Sequence, residues 1–280
     1  MVNGLRPKNL DEALEILSKQ QCTVIAGGTD LMVQRARGFA IAPAFDKPLL
    51  FIEHLSELKK IYIDDEGIHI GACAILTDII QNETIPSIFK EMIEQMASPP
   101  TRNMATIAGN ICNASPAGDT LPYLYAVNAK VKLKNINSTR IVNVSDFIIS
   151  PKKTCMRSDE LLTDIIIPDK EFEHNYYRKL GQRKGMSLTK VSLLAMADVS
   201  DGKILDIRIT LGSVAASIVR SPEAEKYMTG KDTSEIKAVT ETILGKYNNL
   251  IRPIDDARST AIYRKKTSLR LIKDFLEKIS

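Results

Sequence analysis

Two stretches dense in small residues, Val24 to Gln34 (VIAGGTDLMVQ) and Thr106 to Asp119 (TIAGNICNASPAGD), constrain this chain more than anything else in it. In the first, Thr23 to Ala26 is apolar and β-prone, Gly27 and Gly28 make a turn without Cβ atoms, and Thr29 and Asp30 follow with a hydroxyl and a carboxylate. Such a turn presents bare backbone N–H groups, which suits phosphate oxygens. Taken alone it serves equally well as an ordinary tight turn. In the second, Gly109 gives access to backbone, while Asn110, Ser115 and Asp119 supply the directional polar groups that a ribose or ribityl chain needs. Asp119 suits a sugar diol rather than a phosphate. Together the two loops point to a bound dinucleotide. Neither G-x-G-x-x-G opening a helix nor G-x-x-x-x-G-K-[ST] is present, which disfavours a Rossmann or P-loop assignment.

The rest of the chain reads as α+β. Asp11 to Lys19 predicts a first helix, with acidic residues in its opening turn and Ala13, Leu14 and Leu17 on one face. Residues 1–55 then form a small mixed unit carrying the first loop. Strand-like Ile61 to Ile63 and Ile68 to Ile70 open a second unit, 56–172. It continues through a helical stretch near Ile85 to Met96 that Pro99 and Pro100 break, and then delivers the second loop. Strands at Lys130 to Leu133, Arg140 to Val144 and Thr163 to Ile167 close it, and charged Asp169 to His174 reads as a connector. In a C-terminal α/β domain, 173–280, Tyr176 to Leu180, Leu193 to Val199 and Ile204 to Leu211 read as antiparallel strands, with Asp201-Gly202 as a hairpin turn. Helices from Ser221, Ser234 and about Pro253 complete it.

The residues also carry a resemblance over nearly the whole length. A strand followed by A-G-G-[THS]-[DE] is met at Ala26 to Asp30, and R-N-x-A-T-[IL]-G-G-N-[IL]-x-x-A-S-P-x-[AS]-D is met from Arg102 to Asp119, with Ala108 in place of the usual glycine and Gly118 at the [AS] position. D-E-[IL]-L-x-x-[IV]-x-[IV]-P matches Asp159 to Pro168, Y-x-K-x-x-x-R matches Tyr177, Lys179 and Arg183, and G-x-[VL]-A matches Gly212 to Ala215. R-x-[ST]-A-x-Y-R matches Arg258 to Arg264. In these motifs the chain resembles the FAD-binding (medium) subunit of the molybdenum hydroxylases, the group of xanthine, carbon monoxide and nicotinate dehydrogenases.

That resemblance implies a two-part FAD-binding region of small mixed α/β units, 1–172, followed by a C-terminal antiparallel sheet with helices. It implies that Gly27, Gly28, Thr29 and Asp30, with Ile25, Ala26 and Leu31, bind the FAD pyrophosphate and its neighbours. Thr106, Gly109, Asn110 and Ser115 would line the second half of the site, and Asp119 would take a sugar hydroxyl. Met96, Ala97 and Leu162 fall at apolar contacts to the cofactor, and Lys179 falls within reach of the flavin ring; by itself Lys179 also reads as a solvated lysine. Electrons from a molybdopterin-binding large subunit would pass through a [2Fe-2S] small subunit to this FAD and on to NAD+ or another acceptor. Ala108 adds a methyl where backbone is expected to approach the ligand and forbids a positive φ. Lys184 to Thr189 (KGMSLT) lacks the acidic pair and isoleucine common in the family at this point.

Composition narrows the alternatives. Cys22, Cys73, Cys112 and Cys155 form no C-x-x-C pair, and His54, His69 and His174 are far apart, so no metal site is expected. Cys112 sits inside the second loop and reads as a small buried residue or a neighbour of the cofactor. A net charge of +4 with interspersed signs and 5% aromatic residues gives no nucleic-acid surface. No apolar h-region opens the sequence and no run of eighteen apolar residues occurs, so a cytoplasmic chain without membrane contact is expected. The basic face of the last helix, Arg264, Lys265, Lys266 and Arg270, reads as solvated, or as a docking face for a partner. No Ser-His-Asp or Cys-His set and no carboxylate pair suggests hydrolysis, so no catalytic side chain is named. A stand-alone FAD-dependent oxidoreductase and a non-catalytic docking module remain the alternatives.

Overall fold

A computed structural model describes residues 3–183 and 185–280. In chain order the elements are β1 (Gly4–Leu5), α1 (Leu10–Lys19), β2 (Thr23–Ile25), α2 (Leu31–Arg35), β3 (Leu49–Phe51), β4 (Ile61–Asp64), β5 (Gly67–Gly71), α3 (Leu76–Gln81), α4 (Ser87–Glu94), α5 (Pro99–Arg102), α6 (Ile107–Cys112), α7 (Leu121–Ala126), β6 (Lys130–Lys134) and β7 (Thr139–Asn143). They continue with α8 (Val144–Phe147), β8 (Ile148–Ser150), β9 (Lys153–Thr154), β10 (Leu161–Ile167), β11 (His174–Leu180), β12 (Val191–Ser200), β13 (Lys203–Gly212), β14 (Val219–Arg220), α9 (Pro222–Met228), α10 (Ile236–Leu250) and α11 (Ala261–Lys278). The α+β class expected from the sequence holds.

Two compact units share the chain. The first takes Met1–Ile85, Ala97–Ala114 and Ala129–Pro168; the second takes Pro86–Met96, Ser115–Asn128 and Asp169–Ser280.

In the first unit, β1, β3 and β2 form a small parallel sheet on which α1 lays Ala13, Leu14 and Leu17. Asn9 starts α1 by accepting the Glu12 amide at 2.9 Å, and Asp11 and Glu12 fill the positive first turn. A five-stranded antiparallel sheet runs β4-β5-β10-β6-β7. All of β5 is buried, including His69, whose Nε2 lies 2.9 Å from Asp64 Oδ1 and whose ring stacks on Tyr62. His69, Asp64 and Glu66 are the one group of metal-ligand type among the described residues.

In the second unit, β11-β12-β13-β14 make an antiparallel sheet whose register is fixed by Asp201-Gly202. Both turn residues have positive φ, +50° and +72°, the type I′ geometry that matches strand twist. The first seven residues of β12 are buried, as a strand packed on both faces must be, and α7 and α11 lie against it. Leu193, Ile207, Ile209, Tyr247, Ile272 and Phe275 stand in its core.

Three local expectations are corrected. Pro99 and Pro100 do not end α4, which stops at Glu94; they open α5, where the missing N–H groups cost no intrahelical bond. The last helix starts at Ala261 rather than near Pro253, because Thr260 and Asp255 cap it by accepting the amides of Tyr263 and Ala261. The second glycine loop is partly helical: Thr106 accepts the Gly109 amide at 3.1 Å and starts α6. No helix among the described residues is long and apolar enough to cross a membrane.

Candidate functional site

In the first unit the turn after β2 packs against the segment that leads into the second small-residue loop, and Gly27 is the reason. A Cβ at Gly27 would lie 1.8 Å from the Met104 carbonyl oxygen, so only glycine lets β2 and its turn pass against the segment leading into α6. Gly28 has a φ of +67° and turns the chain into α2. Gln34, on α2, donates to Asp30 Oδ2 at 2.7 Å and to Asn113 Oδ1 at 3.0 Å, which ties the first loop to the C-cap of α6. Among the described residues no backbone carbonyl accepts the amides of Gly28, Thr29 or Asp30. Ile25, Gly27, Gly28, Met32, Phe45 and Phe51 border a cavity of about 670 Å³, within the size of ordinary small-molecule sites.

Other residues singled out from the sequence fall in the same unit. Ile25 is buried in β2, Ala26 is half-buried, and Leu31 opens α2. Ala97 is exposed, with a φ of +45°. Asn110 lies within α6, and Leu162 is buried in β10 opposite Leu133. Ala108 is helical, inside α6. The concern over a forbidden positive φ therefore lapses, since alanine is at home in that backbone. Cys112 is half-buried, and desolvation pushes its thiol up to about 12. It is an inert side chain rather than a reactive one.

The second unit holds Met96, Ser115, Asp119 and Lys179. Lys179 is no solvated lysine: its side chain is 6% exposed. Its Nζ donates to Asp119 Oδ2 at 2.7 Å and to the Gln95 carbonyl at 2.8 Å. The other oxygen of Asp119 accepts from Thr189 Oγ1 at 2.5 Å. Two residues assigned to different parts of the cofactor are thus each other's counter-ions, and Thr189, noted only as part of a divergent stretch, completes the set. Lys184, in that stretch, lies outside the described residues. Buried Tyr177, two residues before Lys179, has a hydroxyl with no partner among the described residues. Burial first, then the charges of Asp119 and Glu91, hold its phenol well above the usual range.

A buttress stands behind Ser115 and Asp119. The Ser213 amide donates to the Pro116 carbonyl at 2.9 Å, and the Ser213 carbonyl accepts from Arg264 Nη1 at 2.9 Å. Arg264, 3% exposed, is neutralised by Asp256 at 2.7 Å, which Arg258 also grips. The C-terminal R-x-[ST]-A-x-Y-R motif is thus a support for the loop between Gly212 and Ala215. Sequence spacing alone held no signal for that connection.

Residues 1–170 match the family model of the FAD binding domain in molybdopterin dehydrogenase. The chain belongs to this FAD-binding family. Residues 175–279 of the flavoprotein match the CO dehydrogenase flavoprotein C-terminal domain. Among its relatives is the glyceraldehyde dehydrogenase medium chain of Sulfolobus acidocaldarius, 29% identical, covering 93% of this chain and 92% of the relative. The nicotinate dehydrogenase FAD-subunit of Eubacterium barkeri is 28% identical over 93% and 90% of the two chains. The carbon monoxide dehydrogenase medium chain of Afipia carboxidovorans is 28% identical over 98% and 94%. The crystal structure of a cyanide-inactivated Cu,Mo-CO dehydrogenase superposes with a TM-score of 0.88 at 25% identity, covering 99% of this chain and 96% of that one.

The flavoprotein is therefore an oxidoreductase subunit of the molybdenum hydroxylase family, with FAD as its cofactor. The residues present fit that cofactor. Turn amides without a backbone acceptor suit a pyrophosphate, and the cavity beside Gly27 and Gly28 admits bulk.

Proposed function

We propose that this flavoprotein is the electron-transfer subunit of a heteromeric, cytoplasmic molybdenum hydroxylase. It takes electrons from iron–sulfur clusters of a [2Fe-2S] small subunit, which drew them from a molybdopterin-binding large subunit, and passes them to NAD+ or another acceptor. Residues 1–172 serve as the FAD-binding region and 173–280 as the C-terminal domain. The observation that carries the reading is the buried Lys179–Asp119 pair in a chain of this family. A desolvated, doubly tethered ammonium is kept where a structural role alone would favour apolar packing.

Each residue has a task that its geometry supports. The amides of Gly28, Thr29 and Asp30 orient the pyrophosphate, with Ile25, Ala26, Gly27 and Leu31 shaping the turn. Thr106 caps α6 and sets Gly109 and Asn110; Ser115 and Asp119 serve the sugar chain. A carboxylate offers about four acceptor positions, so Asp119 has capacity for a hydroxyl beside its two present donors. Met96, Ala97 and Leu162 supply apolar contact. Lys179 holds one positive charge in a fixed place, which favours the reduced form of the ring. Bound FAD supplies the redox chemistry, accepting electrons singly or in pairs.

The test is a visible spectrum of the purified chain, with the released cofactor identified by chromatography, followed by anaerobic titration with NADH. Flavin bands, FAD on release and bleaching by NADH support FAD binding and electron exchange with NAD+. FAD without bleaching redirects it to another acceptor, and a chain that stays colourless after reconstitution overturns it.

A further inference from the structure

Thr189 closes one of the two stretches in which this chain departs from its family pattern, yet its side chain is buried and hydrogen-bonded. It is 1% exposed, and its hydroxyl donates to Asp119 Oδ1 at 2.5 Å. Its backbone position is set by the β11–β12 hairpin, since the next amide, Lys190 N–H, donates to the Leu180 carbonyl at 2.8 Å and Leu180 pairs with Val191. Lys179 comes from the facing strand of the same hairpin and takes the second oxygen of the same carboxylate. The hairpin therefore grips Asp119 with two prongs, one neutral and one charged.

We propose that Thr189 is a positioning residue of the flavin site, an inference that rests on the FAD-binding reading above. With Oδ1 held by Thr189, the carboxylate plane cannot turn, and Oδ2 stays presented to Lys179. The ammonium is then fixed from two sides, by Asp119 and by the Gln95 carbonyl. Without the hydroxyl, Asp119 is held through Oδ2 alone and gains freedom about its terminal torsion, which is a broad one. Both its aim at a sugar hydroxyl and the station of Lys179 then slacken. Thr189 acts through Asp119 and Lys179 and has no contact of its own with the ring to supply.

The experiment compares the wild-type chain, Thr189→Val, Thr189→Ser and Lys179→Met, each reconstituted with FAD. It measures the dissociation constant by flavin fluorescence, the midpoint potential by dye equilibration, and the thermal midpoint as a check on folding. Valine keeps the shape and removes the donor. Thr189→Val is expected to weaken FAD binding about tenfold, the effect of losing one hydrogen bond to a charged group. It should also move the flavin potential in the negative direction, as Lys179→Met does, and Thr189→Ser should restore both. Should valine disturb folding, the Thr189→Ser comparison still decides, since only a hydroxyl-dependent role is rescued by serine. Wild-type affinity and potential in Thr189→Val, or a serine variant as impaired as the valine one, overturns the inference alone. A wild-type chain that takes up no FAD overturns the FAD reading and this inference with it.

Discussion

Lys179 Nζ lies 2.7 Å from Asp119 Oδ2, with both side chains largely withdrawn from water. Breaking such a pair from one side leaves the other charge buried and uncompensated, a loss of about 3–5 kcal/mol when burial is complete and less here. Asp119→Ala is therefore expected to lower the thermal midpoint more than the double variant Asp119→Ala/Lys179→Met, and to weaken FAD binding as well. Calorimetry of the two variants, with and without FAD, checks both. A single variant as stable as wild type would show that the pair is dispensable to the fold.

Gly27→Ala should be the most damaging single methyl in the first loop. The added carbon meets a backbone carbonyl at 1.8 Å, which no rotamer change relieves. At Gly28 the nearest neighbour is a flexible methionine at 3.4 Å, and the obstacle is the positive φ instead. FAD retention through gel filtration is expected to be lost in Gly27→Ala and reduced in Gly28→Ala. Equal retention in both would place the close approach elsewhere.

Much of the first unit was legible because its information is local. Helix α1 announced itself through its acidic turn and its apolar face, β5 and β6 through alternating residues, and β10 through an apolar run ahead of Pro168. Hidden features depend on residues far apart in sequence. Nothing at Gly27 announces Met104, nothing at Lys179 announces Asp119, and a Pro-Pro pair reads alike whether it stops one helix or starts the next. Arg258 to Arg264 could be matched as a pattern, but its purpose needed the Ser213 and Pro116 contacts.

Asp256 gives the chain an acid-sensitive joint. Hydrogen bonds from Arg258 first, and from Arg264 after it, hold its carboxyl well below the usual carboxylate range. A group depressed on folding adds stability above its unfolded pKa of about 4 and loses it as pH falls toward the folded value. Asp256→Asn should lower the melting temperature at pH 7, and the gap to wild type should shrink on acidification below about pH 4. A gap independent of pH would rule out charge as its origin.

Arg264→Lys keeps the charge but not the fork that spans Ser213 and Asp256. It should loosen the Pro116 segment and weaken FAD binding, while melting close to wild type. Cys112, whose thiol is pushed up to about 12, should react slowly with iodoacetamide at pH 8 and faster once denaturant is added.

The alternation of the chain between its two units has a consequence for biosynthesis. The polypeptide crosses from one unit to the other five times, and α4 and α7 belong with β11, β12 and β13, which are synthesised much later. A ribosome that has released the first 170 residues has not released a finished half. Phe89 and Tyr123, stacked at 4.3 Å in the complete protein, must wait in the nascent chain for their sheet. Until translation ends, the second unit has no core of its own to bury them in, and a chaperone has two aromatic handles to hold.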